Sequence, residues 1–121
     1  MIKTTMDKAF NAFITLSKMR NKVKGMDALH LFHMKNVLME SVDFQNDEEV
    51  RLVEEHGGTI TDNGTIIIAD KGKREAYQKA RKELGEMECD VQTDPVKVSL
   101  ERNPDITMEE IELLQDFVIF E

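Results

Sequence analysis

The sequence predicts an α+β fold that is predominantly α. Its elements are an N-terminal antiparallel helical hairpin, a β-hairpin at residues 58–69, a further helix, short strands and a C-terminal helix. Three observations support this fold class: helical spacing of apolar residues in the first third, Asn63-Gly64 between two β-branched runs, and a capping sequence that begins at Thr107. A chain of 121 residues, 40% of them apolar, fits a single domain spanning residues 1–121.

The first helix is predicted over about residues 4–24. Thr4 or Thr5 can cap its start, and Gly25 is a suitable left-handed residue just beyond its end. Its apolar residues recur at helical steps, which predicts one buried stripe. The stripe comprises Met6, Phe10, Phe13, Ile14, Met19 and Val23.

The second helix is predicted over residues 27–55, antiparallel to the first, with Asp27 at its N-cap or in its first turn. It ends at His56-Gly57-Gly58. We favour one continuous or lightly kinked helix, although Asn46 and Glu49 form a capping box that would allow a restart at Asp47. Its apolar stripe is so broad that we expect it to contact more than one neighbour. That stripe comprises Leu29, Leu31, Phe32, Met34, Val37, Leu38 and Val42.

The β-branched runs around Asn63-Gly64 predict a hairpin with a tight two-residue turn at its tip. A helix then runs from Asp70 to Glu86, with Ala76, Tyr77, Ala80 and Leu84 along its inner edge.

Alternating residues predict a pair of short strands at 91–93 and 96–100, on either side of Pro95. The capping box at Thr107 starts the last helix, whose inner residues are Ile111, Leu113, Leu114 and Phe117. Residues 118–120 are too apolar for a free tail, so we expect them to dock on the fold.

Charge is divided unevenly along the chain. Residues 1–36 carry seven basic and two acidic side chains, a balance of +5, whereas residues 37–121 carry nine basic and twenty-two acidic ones, a balance of −13. Such a division marks either a surface that meets a partner or two segments that pair with each other.

Two sets of charged residues are therefore candidate partner-binding sites. The basic set, at the end of the first helix, comprises Lys18, Arg20, Lys22 and Lys24. We favour a role in complementing the helix dipole and pairing with acids over nucleic-acid binding, because no aromatic residues alternate with these cations. The acidic set, which we predict to be solvent-facing, comprises Asp47, Glu48, Glu49, Glu54, Glu55, Glu109 and Glu112.

The sequence supplies little for catalysis, metals or cofactors. His30 and His33 lie three residues apart, but zinc requires three or four ligands and no third is evident nearby. Cys89 has no recognisable catalytic partner, and neither phosphate-binding glycine motif is present. We therefore expect no catalytic residue, no metal and no cofactor.

A single cysteine excludes an intrachain disulfide and fits a reducing compartment. The chain also lacks an apolar run long enough for a signal peptide or a membrane span. These features predict a cytoplasmic protein without a membrane partner.

Residues 78–121 carry three recognisable segments: Lys-Glu-Leu-Gly-Glu-Met-Glu, Asp-Pro-Val-Lys-Val-Ser-Leu and Ile-Thr-x-x-Glu-Ile-x-x-Leu-x-x-Phe-Val. In this order, after two helices and a hairpin, they resemble small phage and prophage proteins of unknown function from Gram-positive hosts. The resemblance implies a viral accessory protein in the host cytoplasm, and it supplies no functional residue.

Two functions follow as hypotheses. The first is non-catalytic binding of another protein, host or phage and of basic character, with inhibition of a host defence or nucleic-acid-binding factor as the outcome. The alternative is a self-associating structural or assembly component of a phage particle. Self-association would use the apolar face of the second helix or the hairpin edge.

Overall fold

The computed structural model describes residues 1–121 and confirms an α+β fold in which helix predominates, since four helices hold 55% of the residues. In chain order the elements are β1 (Ile2–Thr5), α1 (Met6–Lys18), α2 (Gly25–Glu55), β2 (Thr59–Ile60), β3 (Ile66–Ile67), α3 (Lys71–Glu86), β4 (Glu88–Val91), β5 (Val96–Val98), α4 (Met108–Leu114) and β6 (Val118–Phe120).

Helix α1 is shorter than predicted. The Thr5 hydroxyl accepts from the backbone N–H of Lys8 at 3.3 Å, so Thr5 is the N-cap. The helix ends at Lys18 rather than near residue 24, and the Met19 N–H is shared between the carbonyls of Thr15 and Leu16, as is common at helix ends. Gly25, with φ of 66°, is the first residue of α2 and does not cap α1.

The sequence interpretation missed strand β1. It pairs antiparallel with β4, Ile2 opposite Val91 and Thr4 opposite Cys89, and all four side chains are buried. Strand β4 therefore begins at Glu88, ahead of the predicted strand at 91–93.

Helix α1 lies at the centre of the fold, in contact with α2, α3 and α4. Its most buried residues are Ala9 and Ala12, whereas Phe10, Phe13 and Ile14 of the predicted stripe are only partly buried. The predicted stripe is partly confirmed, because its members Met6, Met19 and Val23 are buried. The prediction left out the two alanines because it weighted large side chains.

Helix α2 is continuous over 31 residues, as favoured, and Asp27 lies in its first turn. Its core-facing side chains are Leu31, Met34, Leu38, Val42 and Val53. Leu29 and Phe32, which belong to the predicted broad apolar stripe, are 54% and 60% exposed. The expectation that α2 contacts more than one neighbour is confirmed, since α2 contacts α1, α3, β2, β4 and β5, but Leu29 and Phe32 stay exposed.

The hairpin is confirmed, but its loop is longer than the predicted two-residue turn. Ile60 pairs with Ile66, so residues 61–65 form the loop, and Asn63-Gly64 lies at its tip. Gly64 has φ of 84°, a conformation that glycine adopts without strain.

A second, smaller core lies under the hairpin and consists of Val53, Ile68 and Tyr77. Ala76, predicted on the inner edge of α3, is exposed.

A polar network joins α3 to α1 and α2. Arg81 lies 3.4 Å from Asp7 and 3.3 Å from Glu49, and the Gln45 amide donates to Asp7 at 3.3 Å. The Tyr77 hydroxyl donates to Glu49 at 3.4 Å. Burial, reinforced by the Glu49 charge, raises the pKa of Tyr77, so the phenol remains a hydrogen-bond donor.

Strands β5 and β6 form a parallel pair, Val96 opposite Val118. The prediction that 91–93 pairs with 96–100 is therefore wrong, whereas the docking of residues 118–120 is confirmed. Leu114 and Phe117, which lie between β5 and β6 in the sequence, are fully buried. Leu113, which was predicted to face inward, is 38% exposed.

Candidate functional site

Three large apolar side chains line the solvent side of α2 over its first turns. Met26, Leu29 and Phe32 are 64%, 54% and 60% exposed, and their spacing of three residues brings them together on the helix surface. We call these three residues the apolar ridge. Single exposed apolar residues are common, but a contiguous group of large ones marks a binding surface.

A groove with a volume of about 340 Å³ lies between the end of α1 and the start of α2, and Phe32 is the one member of the apolar ridge that lines it. Phe32 forms one wall. Helix α1 stops at Lys18, so its last turn and the turn that follows it form the wall opposite α2. Its apolar lining is made of Leu16, Met19, Val23, Ala28, Leu31 and Phe32.

Cations border the same groove. Arg20 and Lys35 are both lining residues, and we call this pair the basic rim. The Lys35 ammonium lies 5.6 Å from the centroid of the Phe13 ring, within cation–π range. Neither side chain forms an ion pair within the chain, although acidic residues outnumber basic ones by 24 to 16.

The predicted basic set divides into paired and unpaired members. Lys18 is the last residue of α1, and Arg20, Lys22 and Lys24 lie in the turn before α2, so only Lys18 can complement the α1 dipole within its last turn. Lys22 pairs with Glu110 at 3.0 Å, as the predicted pairing with acids requires. Lys18, Arg20 and Lys24 have no acidic partner.

The predicted acidic set lies in two separate places. Residues 47–55 belong to the C-terminal part of α2, while Glu109 and Glu112 lie on α4. The Lys22–Glu110 pair places α4 near the other end of α2, which at 31 residues is about 46 Å long. These acids therefore form two patches rather than one continuous surface.

Several members of the acidic set already have partners within the chain. Glu48 and Glu55 both bind Arg51, and together they raise the pKa of that guanidinium, Glu48 by its hydrogen bond most of all. Glu49 is part of the network with Arg81 and Tyr77 and is only partly exposed, so the prediction that it is a free surface acid is wrong. The members of the acidic set that are exposed and have no ion pair are Asp47, Glu54, Glu109 and Glu112.

The Lys22–Glu110 pair joins the turn beside the groove to α4. Glu110 also completes the capping box, because its Oε1 accepts from the Thr107 N–H at 2.9 Å. Burial by itself would raise the pKa of Glu110, but the hydrogen bonds from Thr107 and Lys22 outweigh it and hold the pKa below its ordinary value. The carboxylate therefore stabilises the fold in its charged form.

Glu110→Gln is expected to lower the free energy of unfolding by about 1 kcal/mol at pH 7, since it removes an ion pair and weakens a cap. A lowered folded-state pKa stabilises the protein above the unfolded-state value, and this contribution disappears as the pH falls through the folded-state value. Urea unfolding between pH 7 and pH 3 should thus show that the difference in unfolding free energy between the wild type and Glu110→Gln becomes smaller as the pH falls. Glu109→Gln, an exposed neighbour in the same turn, is the control, and an equal pH-dependent loss there would contradict the assignment.

The two histidines predicted not to bind metal lie next to the apolar ridge. His30 Nδ1 lies 2.9 Å from the Lys97 carbonyl oxygen, and His33 is exposed. The structure contains no group of three or more His, Cys, Asp or Glu side chains placed to hold a metal ion. None of the four helices combines the length and apolarity that a membrane crossing requires.

Comparison with models of protein families, with curated protein sequences and with solved structures gives no match. The site is therefore defined by its own geometry, and the resemblance to phage and prophage proteins stays a prediction.

Sequence reasoning missed Met26 and Lys35, but it included Leu29 and Phe32 in the broad apolar face of the second helix that it offered for self-association. The breadth of the α2 stripe was the available signal. A helix that packs against one side of a small domain buries a stripe little more than 100° wide, so apolar residues beyond that width require a second contact.

Proposed function

We propose that this protein acts by binding another protein, without catalysing a reaction. The observation that carries the proposal is the exposed apolar ridge, Met26, Leu29 and Phe32, of which Phe32 also lines a groove of about 340 Å³. Exposed apolar surface of this kind is costly in water and is favourable when a partner covers it. The resemblance of residues 78–121 to phage and prophage proteins supports a host or phage protein as the partner.

The main contact with the partner is thus the apolar ridge, and the acidic set, predicted from the sequence as a partner-binding site, has a secondary role. Glu48, Glu49 and Glu55 are engaged within the chain, so they contribute less to a partner than free carboxylates would. Asp47, Glu54, Glu109 and Glu112 remain able to steer a basic region of the partner toward the protein. Such steering affects the association rate and weakens with salt, whereas the buried apolar contact determines the dissociation rate.

The test is cross-linking at the apolar ridge. A photoreactive amino acid at position 29 is expected to capture one partner in producing cells, whereas the same group at position 50 is not. Val50 is a suitable control because it is also an exposed apolar residue of α2, 42% exposed and about 30 Å further along the helix.

With the captured partner purified, Phe32→Asp should weaken binding at least roughly 30-fold, the effect of losing a hot-spot side chain, while Val50→Asp should leave it unchanged. Equal affinity of wild type and Phe32→Asp, with both folded, would refute the proposal.

Self-association is the second candidate, because a copy of the chain could also cover the apolar ridge. The hairpin edge is a weaker route, since β2 and β3 have two residues each. In this case the cross-linked product has twice the chain mass of 13.9 kDa. Light scattering should then show that Phe32→Asp converts the assembly to monomers.

A further inference from the structure

We propose that the occupant of the groove is an acidic amphipathic helix of the partner protein. The inference rests on the proposed function and adds the chemistry of the partner: apolar side chains that cover Phe32 and carboxylates that pair with Arg20 and Lys35.

Charge complementarity is the first argument. Arg20 and Lys35 line the groove and have no carboxylate partner, in a chain that carries eight net negative charges. An arginine guanidinium binds a carboxylate through two parallel hydrogen bonds, and such pairs are among the strongest at protein surfaces. A partner with acidic residues on either side of an apolar stripe would satisfy both cations while it covers Phe32.

The backbone of the groove is the second argument. Its walls come from α1, α2 and the turn between them, and no strand contributes to them. An extended segment would find no sheet edge here with which to pair. A helix satisfies its own backbone and needs only side-chain contacts, which is the helix-in-groove mode of recognition.

The length of the site fits a helix as well. From Ala28 to Lys35 the groove runs along α2 for about 10 Å, which corresponds to about two turns of a helix lying alongside it. Apolar residues at i, i+3 or i+4 and i+7 of the partner would face Phe32 and the apolar lining of the groove, and its flanking positions would face the basic rim.

Other occupants fit less well. Nucleic-acid binding depends on many phosphate contacts, and the groove offers two cations on a protein of net charge −8. A two-fold dimer would place the same surface on both sides, so its interface would contain both basic rims and no carboxylate from the groove lining.

The experiment uses the full chain and two labelled synthetic helices of about 18 residues, a length at which a helix-favouring peptide is substantially helical. Both carry the same leucine stripe, one with glutamates and the other with lysines on the remaining positions. Fluorescence anisotropy should show the acidic peptide binding at least roughly tenfold more tightly, with the preference declining at high salt.

Three variants sharpen the result. Arg20→Glu/Lys35→Glu should reverse the preference between the peptides, and Phe32→Asp should weaken binding of both. Lys71→Glu/Lys79→Glu is the matched control, because these exposed lysines of α3 also lack an ion pair and lie outside the groove lining. Circular dichroism and thermal unfolding verify that each variant is folded.

The inference is overturned if neither peptide binds or if the basic peptide binds as tightly as the acidic one. The same holds if a single-stranded oligonucleotide displaces the acidic peptide from the surface that includes Phe32. It is also overturned if the wild type forms a dimer that Phe32→Asp dissolves, since the occupant is then a second copy. If neither peptide binds but another protein is captured in a way that depends on Phe32, only the inference of an acidic helix is refuted. The proposed function then stands.

Discussion

Phe117→Ala is expected to lower the free energy of unfolding by about 3–5 kcal/mol, the loss typical of a phenylalanine removed from a core. Phe117 is fully buried, belongs to the main core and connects α4 to β6. Its carbonyl oxygen also accepts from the Val96 N–H at 3.0 Å, so a cavity there disturbs the β5–β6 pair. Chemical denaturation followed by circular dichroism measures the loss.

Phe32→Ala is the control, because Phe32 is 60% exposed and its removal should change the unfolding free energy by less than about 0.5 kcal/mol. Phe117→Leu, which retains most of the apolar volume, keeps the test informative if Phe117→Ala does not fold. A comparable loss at both phenylalanines would mean that Phe32 is buried in solution, which points to self-association.

The second large effect is expected at Asp27, a buried acid in the first turn of α2. Its Oδ2 accepts from the Asn103 amide at 2.8 Å and from the Ser99 N–H at 3.4 Å, and the Arg102 guanidinium lies 3.6 Å away. Asp27 and Asn103 are 6% and 2% exposed, so water cannot readily replace a lost partner.

Asp27→Ala should therefore cost about 2–3 kcal/mol, since it leaves buried donors with fewer partners and removes a negative charge near a helix N-terminus. Urea unfolding gives the total loss, and limited proteolysis should detect loosening of residues 99–106. Asp47→Ala, an exposed acid on the same helix, should stay within about 0.5 kcal/mol of the wild type. A loss at Asp27 no larger than at Asp47 would show that this contact does not stabilise the fold.

The buried acid also matters for the groove. Asn103 accepts from the Lys24 N–H at 3.3 Å, so one polar cluster ties the turn between α1 and α2 to residues 99–103. The turn carries Arg20, and its position depends on this cluster and on the Lys22–Glu110 pair. The basic rim is thus anchored by contacts distant in sequence.

Local chemistry explains the predictions that were confirmed. Thr107 and Glu110 form their capping box within four residues, and Asp70 caps α3 by accepting from the Lys73 N–H at 2.8 Å. The continuity of α2 follows from a helical pattern of 31 residues without glycine or proline after Gly25. Each of these signals is complete within one segment of the chain.

Strand pairing could not be predicted in the same way. Strand β1 exists because residues 88–91 lie beside it, and β5 pairs with β6 across an intervening helix instead of with its sequence neighbour. Strands of three or four residues carry too little pattern to specify a partner, so packing against the shared core decides it.

The sequence by itself determined the fold class, the four helices and the uneven distribution of charge, because propensity, capping and periodicity act over a few residues. Only the tertiary structure decided which apolar residues of α2 are buried and which cations are paired. Leu31 and Phe32 are adjacent and equally apolar, yet the core covers the first and leaves the second 60% exposed. Burial depends on what lies opposite each side chain, and for Phe32 nothing in this chain does.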